Sequence, residues 1–369
     1  MSHLFDPLAL GPVTIDNRIM LSPMCQYSSD DGVANDWHLA HLSQLAMGGM
    51  GLVMTEATHV SAQGRISPYC LGLYSDACET GLARVVSAIR AHRECPIGVQ
   101  LAHAGRKGAN QRPWDGGGAL PADRTWSIVA PSALAHADGW QTPEALDEAG
   151  LARIKEEFVE SARRAARVGF DVVEVHAAHG YLLHEFLSPH ANRRQDNYGG
   201  SAEARRRYPL EVFEAVRAVW PADKALGLRV SATDYIPDGL SVEDVCDFVA
   251  AARDLGCDFV DVSGGGVAAA QQIDLAPGYQ VDYATTIKRA VGLPTFTVGL
   301  ITNPTQANDI ITSGRADGIA LARAFLRNPR WVWDAADELG AEVFCPPQYV
   351  RGRHPRHIAG LARPPLDTE

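Results

Sequence analysis

Residues 173–189, VEVHAAHGYLLHEFLSP, place His176, His179, Tyr181 and His184 within nine positions, directly after an apolar run of the kind that forms a buried strand. An imidazole can take up a proton, so the cluster could supply a catalytic base. Metal binding is the competing chemistry. Catalytic zinc usually takes three protein ligands and commonly uses H-E-x-x-H on one helix, whereas this pair straddles a strand end with few carboxylates nearby. No metal is expected, and a metal-dependent barrel hydrolase using the histidine pair stands as the alternative function.

Such groups need a scaffold, and the sequence supplies one by alternation. Apolar, β-branched runs at 18–23, 52–57, 97–103, 171–177, 226–232, 259–264, 295–301 and 318–322 are each followed by a segment of helical periodicity. Three of them share a lead-in, GFDVVEV, GCDFVDV and RADGIAL, in which a helix ends, the chain turns and a buried strand begins. Eight such units predict an α/β fold, a (β/α)8 TIM barrel, and no strand is followed by the dinucleotide fingerprint G-x-G-x-x-G. The Gly-, Pro- and Trp-rich stretch 103–142 is too long for a simple loop and predicts a lid-like excursion after the third strand. Residues 343–369 read as an extended C-terminal tail, and 1–369 as one domain.

Composition narrows the partners. Lys plus Arg, 33, against Asp plus Glu, 44, gives a formal charge of −11 with no basic tract, which argues against nucleic acid. The N-terminus has no basic segment leading into an apolar one, and no apolar run reaches the length of a membrane span, so a cytoplasmic protein without a membrane partner is expected. Seven scattered cysteines without a C-x-x-C pair exclude a disulfide framework and an iron–sulfur cluster.

In a barrel the chemistry gathers at the C-terminal ends of the strands. Those ends carry SPMCQY, Gln100 and His103, the histidine cluster, Arg229, SGGG, Gly299 and Arg323. A guanidinium inside LGLRVSA requires an anionic or acceptor-rich neighbour. Gly299 with Ala322 and Arg323 matches the phosphate site that barrels often build near strands seven and eight. A flat, acceptor-bearing ring with a phosphate tail is the description of flavin mononucleotide.

The segments SPMCQYS, QLAHAGRK, GFDVVEVHAAHGYLLHEFLSPHANRRQDNYGGSAEARRRY, ADGIALARAFLRNP and PPQYVRGR resemble the Old Yellow Enzyme family of flavin-dependent ene-reductases, in its thermophilic-like branch, over nearly the whole chain. The resemblance implies tightly but non-covalently bound FMN, with NADPH or NADH as reductant and small-molecule activated alkenes as substrates. It implies that Ser22, Pro23, Met24, Cys25, Ala57, Gln100, Arg229, Gly299, Ala322 and Arg323 bind the cofactor. His176 and His179 are implied to hold the substrate carbonyl while hydride reaches the β-carbon, Tyr181 to protonate the α-carbon, and Tyr27 to touch the substrate. Cys25 is implied to tune the flavin. Arg351 is implied to reach a neighbouring subunit's site in a homodimer or dimer-based homotetramer. Two departures stand out: Ala322 where the family commonly has Gly, and Arg353 where the branch carries an aromatic at the pocket rim.

Overall fold

The computed structural model describes residues 3–353 and 357–359. Eight parallel strands close into one barrel: β1 (Ile19–Leu21), β2 (Leu52–His59), β3 (Ile97–Ala102), β4 (Val172–Ala177), β5 (Ala225–Ser231), β6 (Phe259–Ser263), β7 (Thr295–Thr297) and β8 (Gly318–Leu321), with β8 pairing back onto β1. Helices α1 (Asp36–Ala46), α2 (Asp76–Arg90), α3 (Glu148–Val168), α4 (Leu182–Leu187), α5 (Ala202–Val219), α6 (Val242–Asp254), α7 (Val281–Val291), α8 (Pro304–Thr312), α9 (Arg323–Arg327) and α10 (Trp331–Leu339) follow the strands. The TIM barrel expected from the alternation is the fold found. Among the described residues no helix is long and apolar enough to cross a membrane.

The repeated lead-in has a mechanical basis. Asp171 accepts the Ile97 amide at 2.9 Å, Asp258 the Leu226 amide at 2.8 Å and Asp317 the Thr295 amide at 3.1 Å. Each carboxylate thereby caps an amide at the start of the preceding strand, which would otherwise lack a partner. Each also pairs with a basic residue of an earlier helix: Arg90 at 2.9 Å, Arg217 at 3.5 Å and Lys288 at 2.9 Å.

A short antiparallel hairpin, Leu8–Leu10 with Val13–Ile15, closes the barrel floor, where Leu10 and Ile15 pack with Met20, Leu52, Val172, Phe259 and Phe296. Nothing in the repeat pattern announces this plug. The seventh strand ends at Thr297 rather than running to 301, because Gly299 (φ +113°) and Leu300 (φ +55°) turn the chain out of the sheet. The excursion after β3 is not structureless. It holds 3-10 turns at Gly105–Lys107 and Pro113–Asp115 and a small parallel pairing of Val129–Ala130 with Glu144–Ala145, over a patch of Ala109, Leu120, Ile128 and Trp126.

The tail begins with a 3-10 turn, Pro347–Gly352. Arg353 is buried, 3.1 Å from Asp337, with its guanidinium 5.4 Å from the Trp333 ring. The remainder of the tail reading, residues 354–356 and 360–369, lies outside the described residues.

Candidate active site

Strand periodicity aims the first groups. Val172 packs in the floor of the barrel while Val173 and Val175 pack against the helices, so the period of two turns Glu174 and His176 inward. Past the strand, His179 (φ +59°) and Gly180 (φ +71°) form a tight left-handed turn. A Cβ at Gly180 would run into the Gly266 carbonyl, and one at Gly266 (φ +97°) into the His179 backbone, so both positions require glycine. His184 anchors the turn from α4. Its Nδ1 accepts the Gly180 amide at 2.8 Å and its Nε2 lies 2.9 Å from Asp234, both side chains fully buried. With both nitrogens engaged, His184 cannot complete a three-imidazole metal set.

The turn brings the expected chemistry together. The His176 ring stands 5.2 Å from the rings of His179 and of Tyr181. His179 donates its amide to the Ser231 hydroxyl oxygen at 2.9 Å, and its Nε2 lies 2.8 Å from Ser263 Oγ. Tyr181 packs with Cys25, Tyr27, Ile66, Cys70 and Ala104. Cys25 and Tyr27 flank Gln26, whose amide donates to Glu56 Oε2 at 2.9 Å. Glu56 occupies a β-bulge between Met54 and Ala57, the kind of irregularity that re-aims side chains beside sites. The edge of Trp114, an exposed indole of the excursion, meets Tyr27 at 5.8 Å.

Below these groups lies a polar layer. Arg229 is 3.0 Å from Asp261 through Nε and donates to Ser22 Oγ at 3.0 Å through Nη2, while Gln100 donates to Glu174 at 2.7 Å. Glu174 and Asp261 are fully buried. Burial raises both carboxyls above the usual range, and in Glu174 the nearby Asp261 adds to the effect while Arg229 opposes it. The guanidinium therefore has the anionic neighbour its position demanded. The sequence reading missed that neighbour.

Beside the layer a cavity of about 270 Å³ opens at the mouth, walled by Ser22, His179, Arg229, Gly299, Ala322 and Arg323 among others. Gly299 keeps this wall open; a Cβ there would press on the Gln280 amide at 3.1 Å. Arg323, exposed at the start of α9, makes no hydrogen bond or ion pair among the described residues, and the first amides of a helix lack intrahelical partners. Inside the cavity Gln280 Oε1 is buried without a partner. A guanidinium and hydroxyl at one end with a free guanidinium and amides at the other suit a flat acceptor-bearing molecule that ends in an anion. Pro23, Met24, Cys25, Ala57 and Gln100 do not wall this cavity and stand on the β1–β3 side of the mouth; Ala57 and Gln100 are register partners. Arg351 is exposed on its 3-10 turn and does not wall it either.

Desolvation, reinforced by Arg229, holds the His176 and His179 imidazoles well below their ordinary pKa. Both are neutral donors at pH 7. Since their pKa is lower folded than unfolded, the unfolded chain binds more protons below about pH 6.5. The stability they contribute is present above that pH and is lost as pH falls. Ring ¹⁵N spectra are expected to show both imidazoles neutral at pH 5.5, and titration of either near pH 6.5 would contradict this. Burial, with Cys25 next, raises Tyr181 well above the usual phenol value, so it carries its proton.

A family model described as NADH:flavin oxidoreductase / NADH oxidase matches residues 3–342. The chain is 46% identical over 351 residues to an NADPH dehydrogenase of Geobacillus thermodenitrificans (strain NG80-2), covering 95% of this chain and 98% of that one. It is 43% identical over 353 residues to an NADPH dehydrogenase of Listeria monocytogenes serovar 1/2a, covering 95% and 99%. Among solved structures it is similar to morphinone reductase, with a TM-score of 0.76 and 28% identity over 97% of this chain and 94% of that one.

Proposed function

Because the chain belongs to the NADH:flavin oxidoreductase / NADH oxidase family, and so is an NAD(P)H-dependent oxidoreductase with FMN as cofactor, we propose that it reduces the carbon–carbon double bond of α,β-unsaturated carbonyl or nitro compounds. The observation that carries this reading is the grouping of His176, His179 and Tyr181, the His176 ring 5.2 Å from each of the other two, at the strand end where His176 is the register partner of Arg229.

Bound FMN supplies hydride transfer, from the nicotinamide to the alkene β-carbon. The residues that would hold it are Ser22, Pro23, Met24, Cys25, Ala57, Gln100, Arg229, Gly299, Ala322 and Arg323. Arg229 would supply positive charge to the ring, and Arg323 with the start of α9 would hold the phosphate. Burial, with Cys70 and Glu56 next, raises the Cys25 thiol well above its usual value, so it stays protonated.

His176 and His179 grip the substrate oxygen as neutral donors and stabilise the enolate that forms there. Because Nε2 of His179 is engaged by Ser263, its donor to substrate is Nδ1–H, which requires the Ser263 hydroxyl to donate to Nε2. Tyr181 then gives its proton to the α-carbon, and Tyr27 lines the same pocket. Arg351 reaches a second subunit's site in a homodimer or dimer-based tetramer.

Isotopes separate the two new bonds. Reduction of 2-cyclohexenone with NADPH deuterated at the transferred hydrogen is expected to label the β-carbon only, and reduction in D₂O the α-carbon only. Solvent deuterium at the β-carbon, or no saturated product, would overturn the proposal.

A further inference from the structure

The mechanism leaves unused a half-buried cation beside the histidine–tyrosine turn. Lys107 sits on the 3-10 turn Gly105–Lys107, just after β3. Its ammonium donates to the carbonyls of His179, at 2.8 Å, and Gly266, at 3.0 Å. It also stands 4.9 Å from the centre of the Tyr181 ring. These are the two loops that press together through Gly180 and Gly266, so one side chain joins both halves of the contact that aims the histidine–tyrosine turn. The 3-10 turn is itself pinned: Arg106 donates its amide to Glu185 at 2.8 Å and its guanidinium to the Val267 carbonyl at 2.6 Å.

We propose that Lys107 is the positioning residue for Tyr181: its ammonium clamps the His179–Gly180–Tyr181 turn onto Gly266 and lends positive charge to the phenol as it gives up its proton. This rests on the reading of Tyr181 as proton donor. When the O–H bond of Tyr181 breaks and the C–H bond forms at the α-carbon, negative charge appears on the phenol oxygen. Its surroundings offer little to offset that charge, since Cys25, Tyr27 and Cys70 are protonated neighbours and His176 is neutral. The cations facing it are Lys107 and, farther into the barrel, Arg229. A cation within about 6 Å of an aromatic face is attracted to it, and the attraction grows as the ring gains negative charge.

The charge on Lys107 is conditional. It faces Arg106, Glu185, His136, His176 and His179, and burial brings its pKa down to about 8, with Glu185 opposing that and Arg106 adding to it. A lysine in this position loses its proton as the pH rises through that value, whereas an arginine does not. The alkene half-reaction is therefore expected to carry an alkaline limb, and since burial pushes the facing Glu185 carboxyl up to about 8 as well, it is the Lys107→Arg variant that assigns the limb to Lys107.

Stopped-flow measurement of the two half-reactions of the FMN-loaded enzyme between pH 6 and 10 tests this, using Lys107→Met, Lys107→Gln and Lys107→Arg. Lys107→Gln retains an N–H donor without charge and covers the case in which Lys107→Met fails to fold. Oxidation by 2-cyclohexenone at pH 7 is expected to slow about tenfold or more in the two neutral variants, an effect of the size of one charge-assisted contact. Reduction by NADPH is expected to stay within about twofold. Lys107→Arg is expected to restore most of the rate and abolish the fall above pH 8. Neutral variants that oxidise at the unaltered rate, or that slow both half-reactions alike with an unchanged pH profile, would overturn the proposal. Tyr181→Phe in the same series keeps the two readings apart. If it slows oxidation and the Lys107 variants do not, only the role of Lys107 fails; if it has no effect, the reading of Tyr181 fails.

Discussion

Replacing Tyr181 with Phe is expected to slow oxidation of the reduced enzyme by 2-cyclohexenone about 100-fold or more, while reduction by NADPH changes less than about threefold. General acid catalysis typically contributes 10²–10⁴ in rate, and the phenol oxygen is the only atom removed. The ring remains, so the packing with Ile66, Cys70 and Ala104 and the 5.2 Å approach to His176 are preserved. Burial and the neighbouring thiols keep the phenol protonated, so the donor is present throughout the neutral range. Nitroalkenes refine the test. The nitronate formed after hydride transfer is stable enough to leave unprotonated, so the variant is expected to consume a nitroalkene nearly as fast as the parent enzyme. Equal slowing of both half-reactions would instead place Tyr181 in packing alone.

Arg229→Met is expected to cost more in folding than any other single change at the site. The substitution leaves Asp261 and Glu174, both fully buried, without their cation. Breaking a buried pair in this way costs about 3–5 kcal/mol, on the order of 4–6 °C in thermal midpoint for a chain of this size. The loss has a pH signature. Both carboxyls are already pushed up by burial, and without Arg229 they rise further and take up protons. The folded variant then holds protons that the unfolded chain releases above about pH 5, so its stability falls as pH rises. The deficit relative to the parent should be larger at pH 8 than at pH 6. FMN binding is expected to weaken about 10-fold or more, the loss of one hydrogen bond to a charged group. A variant of unchanged midpoint that keeps its yellow colour through gel filtration would refute this assignment.

The barrel was legible because its signals are local. Each strand is a short apolar run, and each of three lead-ins carries an Asp whose carboxylate caps the neighbouring strand. The histidine turn was legible for the same reason, since His176, His179, Gly180, Tyr181 and His184 lie on one continuous stretch. What stayed hidden depends on closure. Arg229 announced that it needed an anionic or acceptor-rich neighbour, but Asp261 meets it only through the β5–β6 register, and nothing in FVDVS marks that Asp as inward. Lys107 is harder still, because its partners are two backbone carbonyls 72 and 159 positions away. A main-chain acceptor leaves no trace in the sequence. The floor hairpin and the bulge at Glu56 are likewise set by the space the closed barrel leaves.

The most direct test of the whole account is an anaerobic titration of the purified protein with NADPH, followed by 2-cyclohexenone, read in the visible spectrum. The account predicts a yellow protein that one equivalent of NADPH bleaches and one equivalent of the enone restores, with cyclohexanone as product. A protein that bleaches and stays bleached in the presence of every activated alkene tried would contradict it.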